Sequence, residues 1–180
     1  FRFLEDVFLE IIDLFPGKYI HIGGDECPKT RWAECPACQA RIRELGYEND
    51  ENALTYLQGY VTNRVEAFLA EHGRSIIGWD EILDGKISQS ATIMSWRGSD
   101  GGIAAAKAGH DAIMTPNSYC YFDYYQSRKI QDEPFAIGGF VSVEKVYSFE
   151  PYTPDMTPEQ REHILGIQAN LWTEYITTDS

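Results

Sequence analysis

Hydrophobic positions along the chain switch between a helical and an extended period. Phe1, Leu4, Phe8, Ile11, Ile12 and Phe15 recur at helical spacing with acids between them, which predicts an amphipathic helix running up to the Pro16-Gly17 turn signal. No capping residue precedes it, so the chain reads as starting inside a larger fold. Lys18-Tyr19-Ile20-His21-Ile22 is then an aromatic and β-branched run that predicts a buried strand, closed by Gly23-Gly24. Residues 31–45 predict one helix stopped at Gly46, and residues 51–72 a longer one stopped at Gly73. Ser75-Ile76-Ile77-Gly78-Trp79 and residues 91–96 read as short buried strands, each ending in tryptophan followed by charge. Ser99 is placed to cap a small-residue helix that stops at Gly109, and residues 111–115 follow as a strand. Thr157-Pro158-Glu159-Gln160 has capping-box spacing with proline at the first helical position, ahead of a last strand over residues 164–170.

Strand alternating with helix predicts a parallel sheet in an α/β fold. The polar and aromatic residues collect at the C-terminal ends of the five strands, which points to a portion of a (β/α)8 TIM barrel, where the loops after the strands build the active site. A doubly wound open sheet is expected to carry a glycine-rich phosphate loop, and neither Gly23-Gly24-Asp25 nor Gly98-Ser99-Asp100-Gly101-Gly102 supplies one. With 180 residues, 43% of them hydrophobic, residues 1–180 are expected to form a single partial barrel domain, truncated at both ends. Such a partial sheet would expose strand edges, so self-association or instability is expected.

Charge narrows the partners. Fifteen basic against 28 acidic residues give a net charge of −13, which disfavours nucleic acid and anionic lipid. No apolar stretch approaches the ~20 residues of a membrane span, and the start lacks the layout of a signal peptide.

His21-Ile22-Gly23-Gly24-Asp25-Glu26 delivers two adjacent carboxylates from the end of the first strand. On a regular strand neighbours point to opposite faces, so the pair shares a cavity only if the backbone bends, which glycine permits. The other strand ends carry Trp79-Asp80-Glu81, Trp96-Arg97, Tyr119 with Tyr121-Phe122-Asp123, and Trp172-Thr173-Glu174. Aromatic walls with isolated carboxylates suit a sugar, whose ring has apolar faces and a rim of hydroxyls.

In chain order, His21-Ile22-Gly23-Gly24-Asp25-Glu26, Gly78-Trp79-Asp80-Glu81, Ser95-Trp96-Arg97-Gly98, Tyr121-Phe122-Asp123 and Trp172-Thr173-Glu174 resemble the ends of the fourth to eighth barrel strands of family 20 glycoside hydrolases, the β-N-acetylhexosaminidases. The resemblance implies removal of terminal N-acetylhexosamine, GlcNAc or GalNAc, from β-linked glycans by a retaining mechanism. There the substrate's own 2-acetamido oxygen attacks the anomeric carbon and forms an oxazolinium intermediate, unlike the two-carboxylate scheme of most retaining glycosidases. It further implies Glu26 as general acid and then base, Asp25 holding the acetamido nitrogen, and Tyr121 bonding the acetamido oxygen. Trp79, Trp96 and Trp172 would enclose the acetyl methyl group, and Asp123 and Glu174 would accept from sugar hydroxyls. No cofactor and no catalytic metal are implied, the partner is a glycan or glycoconjugate, and the location is extracytoplasmic: periplasmic, secreted or lysosome-like.

The chain departs from the family pattern in two respects. The arginine that family members supply from the first strand has no counterpart after Phe1, and no tryptophan lies between Tyr125 and Thr157, where many relatives stack the leaving group. Asp80 and Glu81 read as structural, His21 as a core histidine and Trp32 as a packing residue. Cys27, Cys35 and Cys38 give C-x7-C-x2-C without the paired spacing of a zinc site, so free thiols or a loop disulfide are expected, with Cys120 apart. The residues alone also admit a non-catalytic sugar-binding barrel fragment and a metal-dependent barrel enzyme with Asp25 and Glu26 as ligands.

Overall fold

The run after Pro16-Gly17 forms strand β1 in a computed structural model that describes residues 1–176. Two compact units are present, Phe1–Ile93 and Met94–Ser180.

The first unit opens with helix α1, Arg2–Leu14, followed by β1, Tyr19–His21. Helices α2, Thr30–Glu34, α3, Pro36–Glu44, and α4, Ala53–Glu71, lead to β2, Ser75–Trp79, and a 3₁₀ turn, Asp80–Asp84. Strands β1 and β2 are parallel, with Ile20 opposite Ile76 and His21 opposite Ile77. Beyond β1 the ladder continues through Ile22 N–H to the Ile77 carbonyl at 2.8 Å and Trp79 N–H to the Gly23 carbonyl at 2.9 Å. Arg74, just before β2, donates to the carbonyls of Ile12, Pro16 and Gly17 at 3.2, 2.8 and 3.0 Å. That guanidinium ties the end of α1 and the turn after it to the strand pair, satisfying carbonyls that the helix end leaves without partners. Leu69 and Ile76 are fully buried here, each such side chain being worth about 1.5–3 kcal/mol.

The single helix expected over residues 31–45 is two helices, α2 and α3. Cys35 between them is extended, φ −76° and ψ 116°, because Pro36 disfavours helical geometry in the residue before it. α4 ends as its sequence predicts: Gly73 adopts φ 70° and Arg74 N–H reaches back to the Leu69 carbonyl at 2.9 Å.

Strand β3, Thr92–Ser95, spans the boundary of the two units. The second unit continues with α5, Asp100–Lys107, β4, Ala112–Met114, α6, Asn117–Cys120, α7, Val143–Tyr147, α8, Pro158–Glu162, and β5, Ile164–Ile167. β4 and β5 are parallel, with Met114 opposite Ile167 and an irregularity between Ala112 and Ile113. The expected capping box is present: Thr157 Oγ1 accepts from Gln160 N–H at 3.3 Å, and Gln160 Oε1 accepts from Thr157 N–H at 3.0 Å. Ser99 makes no side-chain cap on α5, contrary to its sequence reading. Its backbone is already helical, φ −88° and ψ −20°, whereas a capping side chain needs an extended one. β5 is shorter than its apolar run; Gln168 N–H still bonds the Met114 carbonyl at 2.9 Å, and Asn170 then forms an isolated parallel bridge opposite Tyr121.

Candidate active site

The first unit carries the acid pair. Gly23 and Gly24 both lie in the left-handed region, φ 72° and 98°, and Glu26 follows at φ 45°, the one non-glycine residue with positive φ among the described residues. This series of left-handed residues turns the chain out of the strand direction, so Asp25 and Glu26 escape the alternation of a strand. Both are exposed. The turn is held from three sides. Gln58 on α4 donates through Nε2 to the Gly24 carbonyl at 2.7 Å, Gly23 N–H donates to His21 Nδ1 at 3.1 Å, and Trp79 N–H bonds Gly23.

His21 is exposed at the strand end, not a core side chain, with Ile20 taking the buried position of β1. Its ring lies 4.6 Å from that of Trp79. Lost hydration holds its pKa below the usual histidine value, with the Asp25 carboxylate pulling upward. Asp80 is buried and opens the 3₁₀ turn, in keeping with a structural part. Trp32 is half-buried on α2.

In the second unit Ser95 organises the exit of β3. Its Oγ donates to the Gly98 carbonyl at 2.7 Å and accepts from Gly102 N–H at 2.8 Å. Trp96 follows, half-buried, with its carbonyl accepting from Asn117 N–H at 2.8 Å. Tyr121 is held by the pairing around it: Phe122 N–H to the Asn170 carbonyl at 2.7 Å and Asn170 N–H to the Cys120 carbonyl at 2.8 Å. Its buried ring stacks 6.4 Å from Trp96, lies 6.4 Å from Trp172 and 5.5 Å from Tyr124. Burial raises the Tyr121 pKa above the ordinary tyrosine value, against hydrogen bonding from Trp172 and Asn170. The phenol therefore stays a neutral O–H donor.

Asp123, Trp172 and Glu174 line one cavity of about 710 Å³ with Phe122, Tyr124 and Phe135 among its other walls. Asp123 Oδ1 is buried and has no hydrogen-bond partner. A buried acceptor in that condition costs free energy. Tyr124 belongs to the aromatic cluster from Tyr119 to Tyr125, which the sequence admits either as a subsite wall or as a loop anchor, and it lines the cavity; Phe135 was not singled out by the sequence. Among the described residues no group of three or more His, Cys, Asp or Glu side chains is placed to hold a metal ion, and no helix is long and apolar enough to cross a membrane.

A parallel α/β chain with acids and aromatics at its strand exits has the layout of a barrel glycosidase, and comparison with known proteins agrees. Residues 1–180 match the model of glycosyl hydrolase family 20, catalytic domain, and the chain belongs to that family. A beta-hexosaminidase of Porphyromonas gingivalis is 50% identical over 179 residues, 99% of this chain and 22% of that protein. One of Vibrio furnissii is 35% identical, over 98% of this chain and 28% of its own length. Among solved structures, an exo beta-N-acetylglucosaminidase from Vibrio harveyi in complex with N-acetylglucosamine superimposes with a TM-score of 0.82 at 34% identity, covering 98% of this chain and 27% of that one. The chain thus spans about a quarter of the length of these relatives, and its fold is part of a (β/α)8 barrel.

Proposed function

We propose that this chain supplies catalytic residues to a β-N-acetylhexosaminidase, a glycosidase that releases terminal GlcNAc or GalNAc from β-linked glycans through an oxazolinium intermediate. The observation that carries the reading is the cavity shared by Asp123, Trp172 and Glu174, with aromatic walls around the carboxylates and Tyr121 packed among aromatic rings alongside. A pyranose meets those needs, an apolar face for the rings and hydroxyl donors for the carboxylates.

In the proposed reaction Tyr121 donates to the acetamido oxygen and aims it at the anomeric carbon, a positioning contribution. Asp25 accepts from the acetamido N–H and stabilises the positive charge that grows there as the ring closes. Glu26 gives its proton to the glycosidic oxygen as that bond breaks, then takes a proton from the water that opens the oxazolinium ion. Trp79, Trp96 and Trp172 bound the acetyl methyl. These steps call on no cofactor. The proposed substrate is a glycan or glycoconjugate, and the proposed location is extracytoplasmic.

Hydrolysis of a chromogenic N-acetylhexosaminide by the full-length protein and by Glu26→Gln tests the assignment. The expected loss is about 10²–10⁴-fold in kcat, with a thiazoline, the cyclic mimic of the intermediate, inhibiting the wild type. Full activity in the variant removes Glu26 from the acid role, and indifference to thiazoline removes the acetamido mechanism. Binding of the mimic without any turnover by the wild type would assign a sugar-binding module instead.

A further inference from the structure

A pair of thiols outside the sugar chemistry stands at the break between α2 and α3. Cys35 occupies the N-cap position of α3 and Cys38 its third residue. Side chains at N-cap and N3 face one another across the opening turn, the relationship that a capping box uses. Both cysteines are half-buried and neither is in a disulfide. The two sulfurs are not equivalent. The Cys35 thiol is pulled below the ordinary cysteine value by the Cys38 backbone N–H, then by the Cys38 thiol and the Ala37 backbone N–H, against its burial. Cys38 is pushed up, chiefly because its thiol hydrogen-bonds Cys35. Proline between them leaves Cys35 extended at the head of the helix, beside the opening turn, although its thiol makes no capping hydrogen bond there. Cys120 is the opposite case: 2% exposed, its thiol pushed up to about 11 by burial.

We propose that Cys35 and Cys38 form a thiol–disulfide exchange site whose co-reactant is a low-molecular-weight disulfide of the glutathione type, with Cys35 as the attacking thiol and Cys38 as the resolving one. The Cys35 thiolate attacks one sulfur of the external disulfide, forming a mixed disulfide and expelling one thiolate. Cys38 gives up its proton and attacks the Cys35 sulfur, which closes the Cys35–Cys38 bond and expels the second thiolate. Two thiols are oxidised, and one external disulfide is reduced to two thiols. The inference goes beyond the glycosidase reading and does not depend on it.

The test uses the full-length protein, reduced, freed of reductant, exposed to oxidised glutathione, then alkylated and mapped by peptide mass spectrometry. The wild type is expected to yield a Cys35–Cys38 linkage that dithiothreitol reverses, while Cys120 takes the alkylating agent only after denaturation. Cys38→Ser is expected to accumulate glutathione on Cys35, and Cys35→Ser to leave Cys38 unmodified. In the reduced wild type at neutral pH, Cys35 should alkylate faster than Cys38, as its larger thiolate fraction dictates. Free thiols at both positions after oxidation, linkage of either to Cys27, or equal alkylation rates would each overturn the proposal. The readout is the mass of the thiol peptides, so loss of hydrolysis has no bearing on it.

Discussion

Gly24 lies against Ile82: a Cβ on Gly24 would overlap Ile82 Cγ2, and the backbone there holds φ +98°. Gly78 on β2 meets the same side chain, with Ile82 Cδ1 2.6 Å from the position its Cβ would take. The turn that carries the acids is therefore seated on one isoleucine from the 3₁₀ turn. Gly24→Ala is expected to lower stability by about 2–4 kcal/mol, from overpacking and a strained φ together. Urea denaturation checks this, and an Ile82→Ala background should recover the packing share and leave the backbone share.

Gln58 reaches the same turn by a different route, through its 2.7 Å bond to the Gly24 carbonyl. Gln58→Leu keeps approximate size and removes the donor. The expected cost is about 1–3 kcal/mol with the carbonyl left unpaired, and kcat should fall more than KM changes, since the turn displaced carries Glu26, the proposed acid. Kinetics on the full-length protein separate the two.

The pH response of Tyr121 has a definite sign. Its folded pKa is raised by burial, so it contributes stability that is complete below the unfolded value of ~10 and is lost as pH rises past it. Ultraviolet absorbance of tyrosinate should show this residue titrating late together with Tyr124, whose pKa burial also raises, and Tyr121→Phe should reduce the late component while lowering kcat about 10²-fold, as loss of a single positioned donor does.

An acid-side counterpart exists at Asp155, whose pKa is lowered to about 2, first by its hydrogen bond from Lys107 at 2.5 Å. A depressed carboxylate contributes stability above its unfolded value of ~3.9 that disappears as pH falls through about 2. Both groups are exposed, so the effect is screened. Denaturation between these pH values should become flatter in Asp155→Asn, and added salt should weaken the wild-type slope.

Much of this arrangement was legible in the chain because its signals are local. Periodicity located all five strands, and glycine and proline located most helix ends, since both act through their own φ. The Cys35-Pro36 break was written in the sequence too, but the apolar spacing across residues 31–45 masked it. Ser99 misled because a capping residue type does not fix its own backbone angles. Asp123, Trp172 and Glu174 were recognised as strand-exit residues, and the structure brings these three to one cavity. What no pattern disclosed was which partners would be missing: the unsatisfied Asp123 oxygen is a property of everything that packs around it.

Helix α1 buries none of its residues, and Phe3, Leu14 and Phe15 remain 76%, 73% and 63% exposed. Apolar surface of that kind seeks cover. The 180-residue chain by itself is expected to self-associate, and Phe3→Glu with Leu14→Glu to shift it toward monomer in sedimentation velocity; monodisperse wild-type chain at the same concentration would refute this.

The left-handed backbone at Glu26 sets two kinds of selection against each other. An L-residue with a branched or long side chain is held there at some cost, of order 1–3 kcal/mol, which glycine or asparagine would relieve. A library at position 26 sorted for heat resistance should enrich those two residues, and the same library sorted for turnover should discard them. Selection by melting temperature alone would thus act first against the residue proposed as the acid.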